Sequence, residues 1–393
     1  MNIARHIVKE LLKAAKEYPV LAILGPRQSG KTTVVKTTFP HHNYVLLEEP
    51  DILEFALSDP RAFLKHYSNE NGLIIDEAQH APDLFSYIQG VVDAEQIPGR
   101  FILTGSQNFY LNEQISQTLA GRVNISILLP LSLGEIKSTL QLPDSYESLL
   151  FEGQYPKVIA QNIDPHKWYQ NYIHTYIERD VRQIKNITDL HLFQKFLALC
   201  AGRIGQVVNW SDLGRDCGIS TKTVTSWISL LQASYLIFLL YPHHENFNKR
   251  IIKSPKLYFY DAGVACALLK IRTQDQLSMH YLKGQLFESF VLAEITKQSF
   301  NQGLNPHLYF WAVQSGHEVD CLLGKDNDLI PIEIKSSETI NSKFFEGLQY
   351  WSKLASKDPA KGYLIYGGKE RQKRSLGTVL GWDAIDKIEQ EIL

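Results

Sequence analysis

The chain has 393 residues, 44% hydrophobic and 21% charged, the balance of a folded protein of two or three domains and not of a disordered one. Forty Lys and Arg against 42 Asp and Glu leave a formal charge of -2, which excludes a uniformly basic nucleic-acid coat but not a local basic groove. The four cysteines, Cys200, Cys217, Cys266 and Cys321, form no CxxC pair, so a disulfide framework and a zinc knuckle are not expected and a reducing, cytoplasmic compartment is.

The first segment, MNIARHIVKELLKAAKEY, places Ile3, Ile7, Leu11 and Ala15 four apart, which predicts a surface helix packed on the first domain. No apolar run approaches the ~20 residues of a membrane span, so no membrane contact is expected. Val20 to Leu24 reads as a buried strand, and GPRQSGKT follows it directly and opens a helix at Lys31. Strand, glycine-rich loop and helix in that order form the context of a phosphate-binding P-loop. Gly25, Pro26, Arg27, Gln28, Ser29 and Gly30 would turn their backbone N–H groups toward a β-phosphate, with Thr33 just inside the helix. Lys31 would reach the β- and γ-phosphates, and the Thr32 hydroxyl would ligate Mg2+.

Gly72 to Ile75 is a second buried strand, delivering Asp76 and Glu77 at its carboxyl end, where open α/β sheets place their ligands. Asp76 would hold the Mg2+ shell, and Glu77 would orient or deprotonate the attacking water. Arg100 to Asn108 is a third strand with a polar end, offering Thr104, Ser106, Gln107 or Asn108 to the γ-phosphate or simply capping a turn. No NKxD-like segment for guanine is present, so ATP is the expected nucleotide.

GPRQSGKTT, LIIDEAQHAPDL, FILTGSQNF and AGRVNISILLPLSLGEI, in this order, resemble the prokaryotic AAA-type ATPases that carry a C-terminal domain of uncharacterised function. These sit within the broader group of archaeal-type and signalling P-loop ATPases, and the resemblance runs through nearly the whole chain. It implies that Arg122, of the Gly121-Arg122 pair, meets the γ-phosphate, in cis or across a subunit interface as an arginine finger; a plain surface arginine is the alternative. An interfacial finger would imply a homo-oligomer.

Beyond the ATPase core, 1–130, the strand–helix alternation stops. Glu135 to Leu150 and Lys167 to Ile187 read as helices of a lid or connector, 131–189, around a turn at Gly153 to Pro156. Tyr176 to Val181 resembles a motif of the family. In 190–275, helical patterns at Leu192 to Gly202, Trp210 to Gly218 and Ser220 to Ala233 suggest a winged helix-turn-helix, with Ser220 as an N-cap. Two strands, Leu236 to Tyr241 and Lys256 to Tyr260, flank Lys249, Arg250, Lys253 and Lys256, a basic wing. Ser220, Thr221, Lys222 and Thr225 would approach a DNA major groove; a protein-docking module is the competing reading.

The last segment, 276–393, returns to α/β. Glu288 on a helix, Asp320 on a strand, and Glu333 and Lys335 two apart on the next strand match the D…ExK arrangement of the PD-(D/E)XK nuclease superfamily. Residues two apart on a strand share a face. Glu288, Asp320 and Glu333 would hold Mg2+, which would supply a nucleophilic hydroxide, and Lys335 would position water or phosphate. A salt-bridge cluster on a domain that has lost the chemistry is the alternative. The expected fold is thus multidomain α/β: an AAA-type P-loop core, a helical lid, a winged helix and a restriction-endonuclease-like domain. The expected function is ATP turnover coupled to DNA binding, remodelling or cleavage. The rival is a signalling ATPase whose winged helix and inactive nuclease-like domain dock a protein partner.

Overall fold

The computed structural model describes residues 3–105, 118–176, 187, 189–243, 254–313, 316–325 and 328–388. Two sheets organise them. In the amino-terminal part the elements are α1 (Val8–Glu17), β1 (Val20–Leu24), α2 (Lys31–Thr38), β2 (Asn43–Leu46), α3 (Pro50–Ser58), α4 (Pro60–Tyr67), β3 (Leu73–Asp76), α5 (Leu84–Glu95), β4 (Phe101–Gly105) and β5 (Val123–Ile127). The five strands are all parallel, in the order β2-β3-β4-β1-β5. β1, β3 and β4 are buried along their whole length, which explains their unbroken apolar runs, because helices cover both faces of a parallel sheet. One layer packs α3 to α5 through Ala56, Phe63 and Ile88; the other packs α1 and α2 through Leu11, Ala14 and Val35.

Chain termini of parallel strands align, so the carboxyl ends of β1, β3 and β4 converge on one edge. That edge carries the P-loop, Asp76 and Glu77.

The connector differs from its sequence reading. Leu133–Lys137 forms a short helix, α6, and Tyr146–Glu152 forms α7. Pro143 lies between them and disfavours helical backbone at the residue before it, so the helix read over Glu135 to Leu150 is two. Pro156–Gln161, read as the end of a turn, starts α8, and Pro165–Tyr172 forms α9; both open on a proline, where the missing N–H costs nothing. Of the family-like stretch Tyr176 to Val181, only Tyr176 falls among the described residues.

Helices α10 (Leu190–Ala201), α11 (Trp210–Cys217) and α12 (Thr221–Ala233) follow the predicted pattern. Gly218, at φ 86, ends α11 in the left-handed region, and Ser220 Oγ accepts from Thr223 N to start α12. The strands β6 (Ile237–Pro242) and β7 (Lys256–Phe259) pair antiparallel. They do not stand apart as a wing. Tyr241 and Pro242 of β6 pair with Tyr309 and Phe310 of the next domain, so this pair is the edge of the second sheet.

Then come α13 (Ala262–Leu268), α14 (Gln274–Ser278), α15 (Lys283–Asn301), β8 (Leu308–Ala312), β9 (Glu318–Lys325), β10 (Asp328–Lys335), α16 (Glu346–Leu354), β11 (Tyr363–Tyr366), β12 (Gln372–Arg374) and β13 (Gly377–Gly381). The sheet order is β12-β13-β11-β10-β9-β8-β6-β7. Helix α15 is buried along most of its length and shares one core with the connector and with α10 to α12. The four cysteines are free and buried. Among the described residues, no helix is long and apolar enough to cross a membrane.

Candidate functional site

The loop after β1 must turn away from the sheet within one residue of Leu24. Gly25 does this at φ 154, and a Cβ there would meet the Leu128 carbonyl oxygen at 2.1 Å. Gly30, at φ 96, is the N-cap of α2. Both positions require glycine for backbone reasons. Lys31 is buried, and its Nζ donates to the carbonyls of Gly25 and Pro26, each at 2.9 Å. Burial pulls its ammonium down to about 8, against the opposing charges of Glu77 and Asp76.

Asp76 is the hub of the neighbouring strand ends. Its Oδ2 accepts from Thr32 Oγ1 at 2.6 Å and from Tyr44 OH at 2.8 Å, and its Oδ1 accepts from Thr104 Oγ1. Three elements, α2, β2 and β4, thereby aim hydroxyl donors at the carboxylate that β3 delivers. Glu77 follows in left-handed backbone at φ 56, a conformation costing a non-glycine residue about 1–3 kcal/mol. Gln79 Nε2 donates to Glu77 Oε2 at 2.5 Å. Glu48, just past β2, and His80 each bring a ligand-type atom within 4.8 Å of one on Glu77. The sequence reading missed Tyr44, Glu48 and His80; the acidic run Glu48-Glu49 after a strand was the one available signal.

Arg27 pairs with Glu48 at 2.9 Å, and its carbonyl accepts from Tyr172 OH at 3.4 Å. Arg5 donates from Nη1 to the Ser29 carbonyl and from Nη2 to the Leu129 carbonyl, each at 2.6 Å. The phosphate loop is therefore gripped by the amino-terminal segment and by α9. Beside it, against Gly30 and Thr33, opens a cavity of about 1140 Å³. Ser106, Gln107 and Asn108 lie outside the described residues.

Arg122 is not near this edge. Its carbonyl accepts from Val20 N at the amino end of β1, and its guanidinium pairs with exposed Asp93 of α5. A strand of five residues separates it from Gly25, roughly 16 Å at strand rise. Within one chain it does not meet the γ-phosphate, which corrects the cis half of the sequence expectation.

In the second sheet, Asp320, Glu333 and Lys335 do converge. Lys335 Nζ bridges Asp320 Oδ2 at 2.8 Å and Glu333 Oε2 at 2.7 Å, while Ile334 N donates to Asp320 Oδ2 at 2.8 Å. Asp320 and Glu333 are 9% and 4% exposed. Burial and the Asp320 charge push Glu333 well above the usual carboxylate range. Burial also raises Asp320, but Lys335 and Lys256 outweigh it and hold Asp320 low.

Glu288 lies in the same field, yet its partners are Lys256 Nζ at 3.3 Å and Tyr258 OH. Burial lifts its carboxyl to about 7. Glu288, Asp320 and Glu333 do not form a three-ligand cluster; among the described residues, that geometry occurs at Glu48, Glu77 and His80. Two lysines fill the space expected for a cation. Lys256, expected on a basic wing, is buried at 4% exposure and also pairs with Glu318, so it offers nothing to a phosphate backbone. Lys249, Arg250 and Lys253 lie outside the described residues. On α12 and its cap, Ser220, Thr221, Lys222 and Thr225 are all exposed.

Three family models match successive parts of the chain. Residues 17–137 match an AAA domain, 143–275 a domain of unknown function (DUF8612) and 283–385 a second one (DUF4143). The uncharacterized proteins Rv2008c of Mycobacterium tuberculosis and Mb2031c of Mycobacterium bovis are each 30% identical over 341 residues, 85% of this chain and 74% of theirs. Among solved structures, the Walker-type ATPase PABY2304 of Pyrococcus abyssi is similar at 15% identity and a TM-score of 0.41, covering 67% of this chain and 94% of that one. The Thermotoga maritima RuvB Holliday junction branch migration motor is similar at 16% identity and a TM-score of 0.32, covering 60% and 89%.

Proposed function

This chain is an AAA-type P-loop ATPase of the family that contains the mycobacterial proteins Rv2008c and Mb2031c, and from that premise we propose that it couples ATP turnover to the binding, remodelling or cleavage of DNA. The observation that carries the ATPase half is the convergence of Lys31, Thr32 and Asp76 on one sheet edge. Thr32 Oγ1 and Asp76 Oδ2, hard oxygens 2.6 Å apart, suit Mg2+. When bound, that ion would neutralise charge on the β- and γ-phosphates. Lys31, released from the Gly25 and Pro26 carbonyls, would turn its ammonium to the phosphates. Glu77 would take up or orient the proton of the attacking water.

Two features support nucleic acid as the object of this turnover. The exposed hydroxyls and ammonium of Ser220, Thr221, Lys222 and Thr225 stand at the start of a helix that follows a glycine turn, as a groove-reading helix requires. Asp320, Glu333 and Lys335 lie together at the carboxyl end of β10. With Glu288 beside them, they have the composition of a phosphodiester-cleaving site.

One observation favours a second reading. The carboxylates are already neutralised by Lys335 and Lys256, which suits a regulatory ATPase whose nuclease-like domain is a docking platform. Mg2+-dependent ATP hydrolysis, measured with and without single-stranded, duplex and branched DNA while DNA length is followed, separates the two. Stimulation by one DNA form, lost at higher salt as phosphate contacts release counterions, supports the first reading. Hydrolysis indifferent to every DNA rejects it in favour of the second.

A further inference from the structure

The acidic cluster of the second sheet holds two ammoniums, and they come from different parts of the chain. Lys335 sits on β10 and belongs to the D…ExK pattern itself. Lys256 lies outside that pattern, on β7 at the edge of the sheet. Its Nζ reaches Glu288 Oε1 on α15 at 3.3 Å and pairs with Glu318 on β9. Burial lowers its pKa, but the charges of Glu288, Glu318 and Asp320 outweigh burial and raise it above the ordinary lysine value. A group 4% exposed that keeps its charge among three carboxylates is placed as a bound cation would be, since buried charges persist where they are paired.

Mg2+ and Mn2+ need carboxylate oxygens gathered around one point. Here Glu288 is turned to Lys256 and to Tyr258 OH, while Asp320 and Glu333 are turned to Lys335. In this arrangement the residues do not fit a metal. The one cause of the misfit that is foreign to the D…ExK pattern is Lys256. The approach is open, because the side chains of Glu318 and Lys335 are 40% and 32% exposed.

Lys256 is not free to leave on its own. Gly205 N donates to the Leu257 carbonyl at 2.8 Å, Leu257 N to the Gln206 carbonyl at 3.3 Å, and Val208 N to the Pro255 carbonyl at 2.9 Å. Residues 202–209 join α10 to α11. The backbone that delivers Lys256 is therefore bonded to the turn that leads into the helix-turn-helix.

We propose that Lys256 stands in for a divalent cation and closes the acidic cluster for as long as the helical module α10 to α12 holds β7 in place. Withdrawing β7 with its turn would bare Glu288, Asp320 and Glu333 together, and engagement of α12 by DNA is the event that would move it. That opening step rests on the DNA reading above; the occupation of the cluster by Lys256 does not.

The test is Mn2+ binding to the full chain, followed by electron paramagnetic resonance and by thermal melts in EDTA and in Mn2+. Asp320→Asn and the wild type should bind Mn2+ alike, because the cluster is closed in both. Lys256→Met should gain one site and lose it again when Asp320→Asn is added, which separates it from any ion at the P-loop. Removing the lysine strands buried carboxylates, so Lys256→Met should melt below the wild type in EDTA and recover in Mn2+, which binds only the folded cluster. Should that variant not melt cooperatively, Lys256→Met with Glu318→Gln strands one carboxylate fewer and keeps Glu288, Asp320 and Glu333 for the metal. An Asp320-dependent site already present in the wild type, or no gain in either lysine variant, overturns the proposal. Duplex DNA added to the wild type should bring out the same Asp320-dependent site. DNA that binds without doing so overturns the opening step. DNA that does not bind, while Lys256→Met gains its site, overturns the DNA reading and leaves Lys256 in the place of the cation.

Discussion

Arg5 and Glu135, 130 residues apart, form an ion pair at 3.0 Å with side chains 6% and 0% exposed. Glu135 is doubly used, because its Oε2 also closes a capping box on α6 by accepting from Ser132 N, and its Oε1 accepts from His6 N. On the other flank of the same connector, Leu133 N donates to Glu294 Oε2. Lys297 Nζ pairs with Glu294 Oε1 at 2.9 Å and donates to the Leu131 carbonyl at 3.1 Å. One short connector therefore touches the P-loop through Arg5 and the carboxy-terminal domain through α15. Breaking the pair should be costly, since removing one partner strands a buried charge. Arg5→Ala is expected to lose about 3–5 kcal/mol of stability in urea denaturation. Arg5→Lys should recover only part, because one ammonium cannot serve Glu135, Ser29 and Leu129 together.

The same pair sets a pH dependence. Burial raises the Glu135 carboxyl, but the Arg5 charge and the N–H groups of Ser132 and His6 outweigh it, leaving its pKa below 4.5. A carboxylate depressed in the folded state stabilises above its unfolded pKa, and that stability is lost as pH falls through the folded value. Glu135→Gln should therefore lower the Tm at pH 7. The gap to the wild type should close as the pH drops below about 4.5, which thermal melts across pH 3 to 7 would read. A gap constant over that range would remove the charge from the account.

These contacts also show where the sequence is readable. The P-loop, Asp76 and Glu77 are contiguous with buried strands, so local pattern alone places them on one edge. Arg5 meets Glu135 130 residues away, Gln154 meets Glu294 140 residues away and Leu133 meets Glu294 161 residues away, and no spacing within a segment announces these pairs. Tyr44 was hidden for another reason: in a strand of mixed burial, a tyrosine reads as packing, and only the neighbouring strand end shows that its hydroxyl meets Asp76. Lys256 misled because its sequence neighbours Lys249, Arg250 and Lys253 are basic, whereas its structural neighbours are Glu288 and Glu318. The D…ExK pattern identified which residues meet in space, but not that Lys335 would bridge both carboxylates.

At the phosphate loop, Lys31→Ala should abolish ATP binding, measured by fluorescent-nucleotide titration, because the ammonium expected to meet the phosphates is removed. Glu77→Gln should keep ATP bound and slow hydrolysis by about 10²-fold or more, the scale of a positioned general base. Normal turnover in that variant would assign the base elsewhere, with His80 the next candidate by position.

Arg122 gives a discriminating experiment because its own P-loop is a sheet's height away. If it completes the site of a second copy, Arg122→Ala should cut hydrolysis by about 10³-fold, and mixing it with Lys31→Ala should restore activity, since each protomer then supplies what the other lacks. If it serves only its exposed pair with Asp93, stability should barely change, because solvent screens such pairs, and hydrolysis should not respond. ATPase assays of the two variants, alone and mixed, decide between these.

The Asp320–Lys335–Glu333 cluster can be tested for structure and chemistry separately. Lys335 is 32% exposed along its side chain while its partners are nearly buried, so Lys335→Met should cost roughly 2–4 kcal/mol, short of a fully buried pair. Adding Glu333→Gln should recover much of that loss, since Glu333 then carries no charge to strand and Asp320 keeps the Ile334 N–H and the field of Lys256. This compensation is expected whether or not the site cleaves DNA, and urea denaturation reads it. Asp320→Asn should leave ATP hydrolysis within about twofold, because the cluster and the P-loop lie in different sheets and share no partner. If Mg2+-dependent DNA shortening occurs in the wild type, it should vanish in Asp320→Asn while ATP turnover persists. Shortening that survives would place any nuclease activity outside this cluster. A wild type that never shortens DNA but shows the Lys335 and Glu333 compensation would make the cluster a structural ion network, kept for the fold of the docking platform.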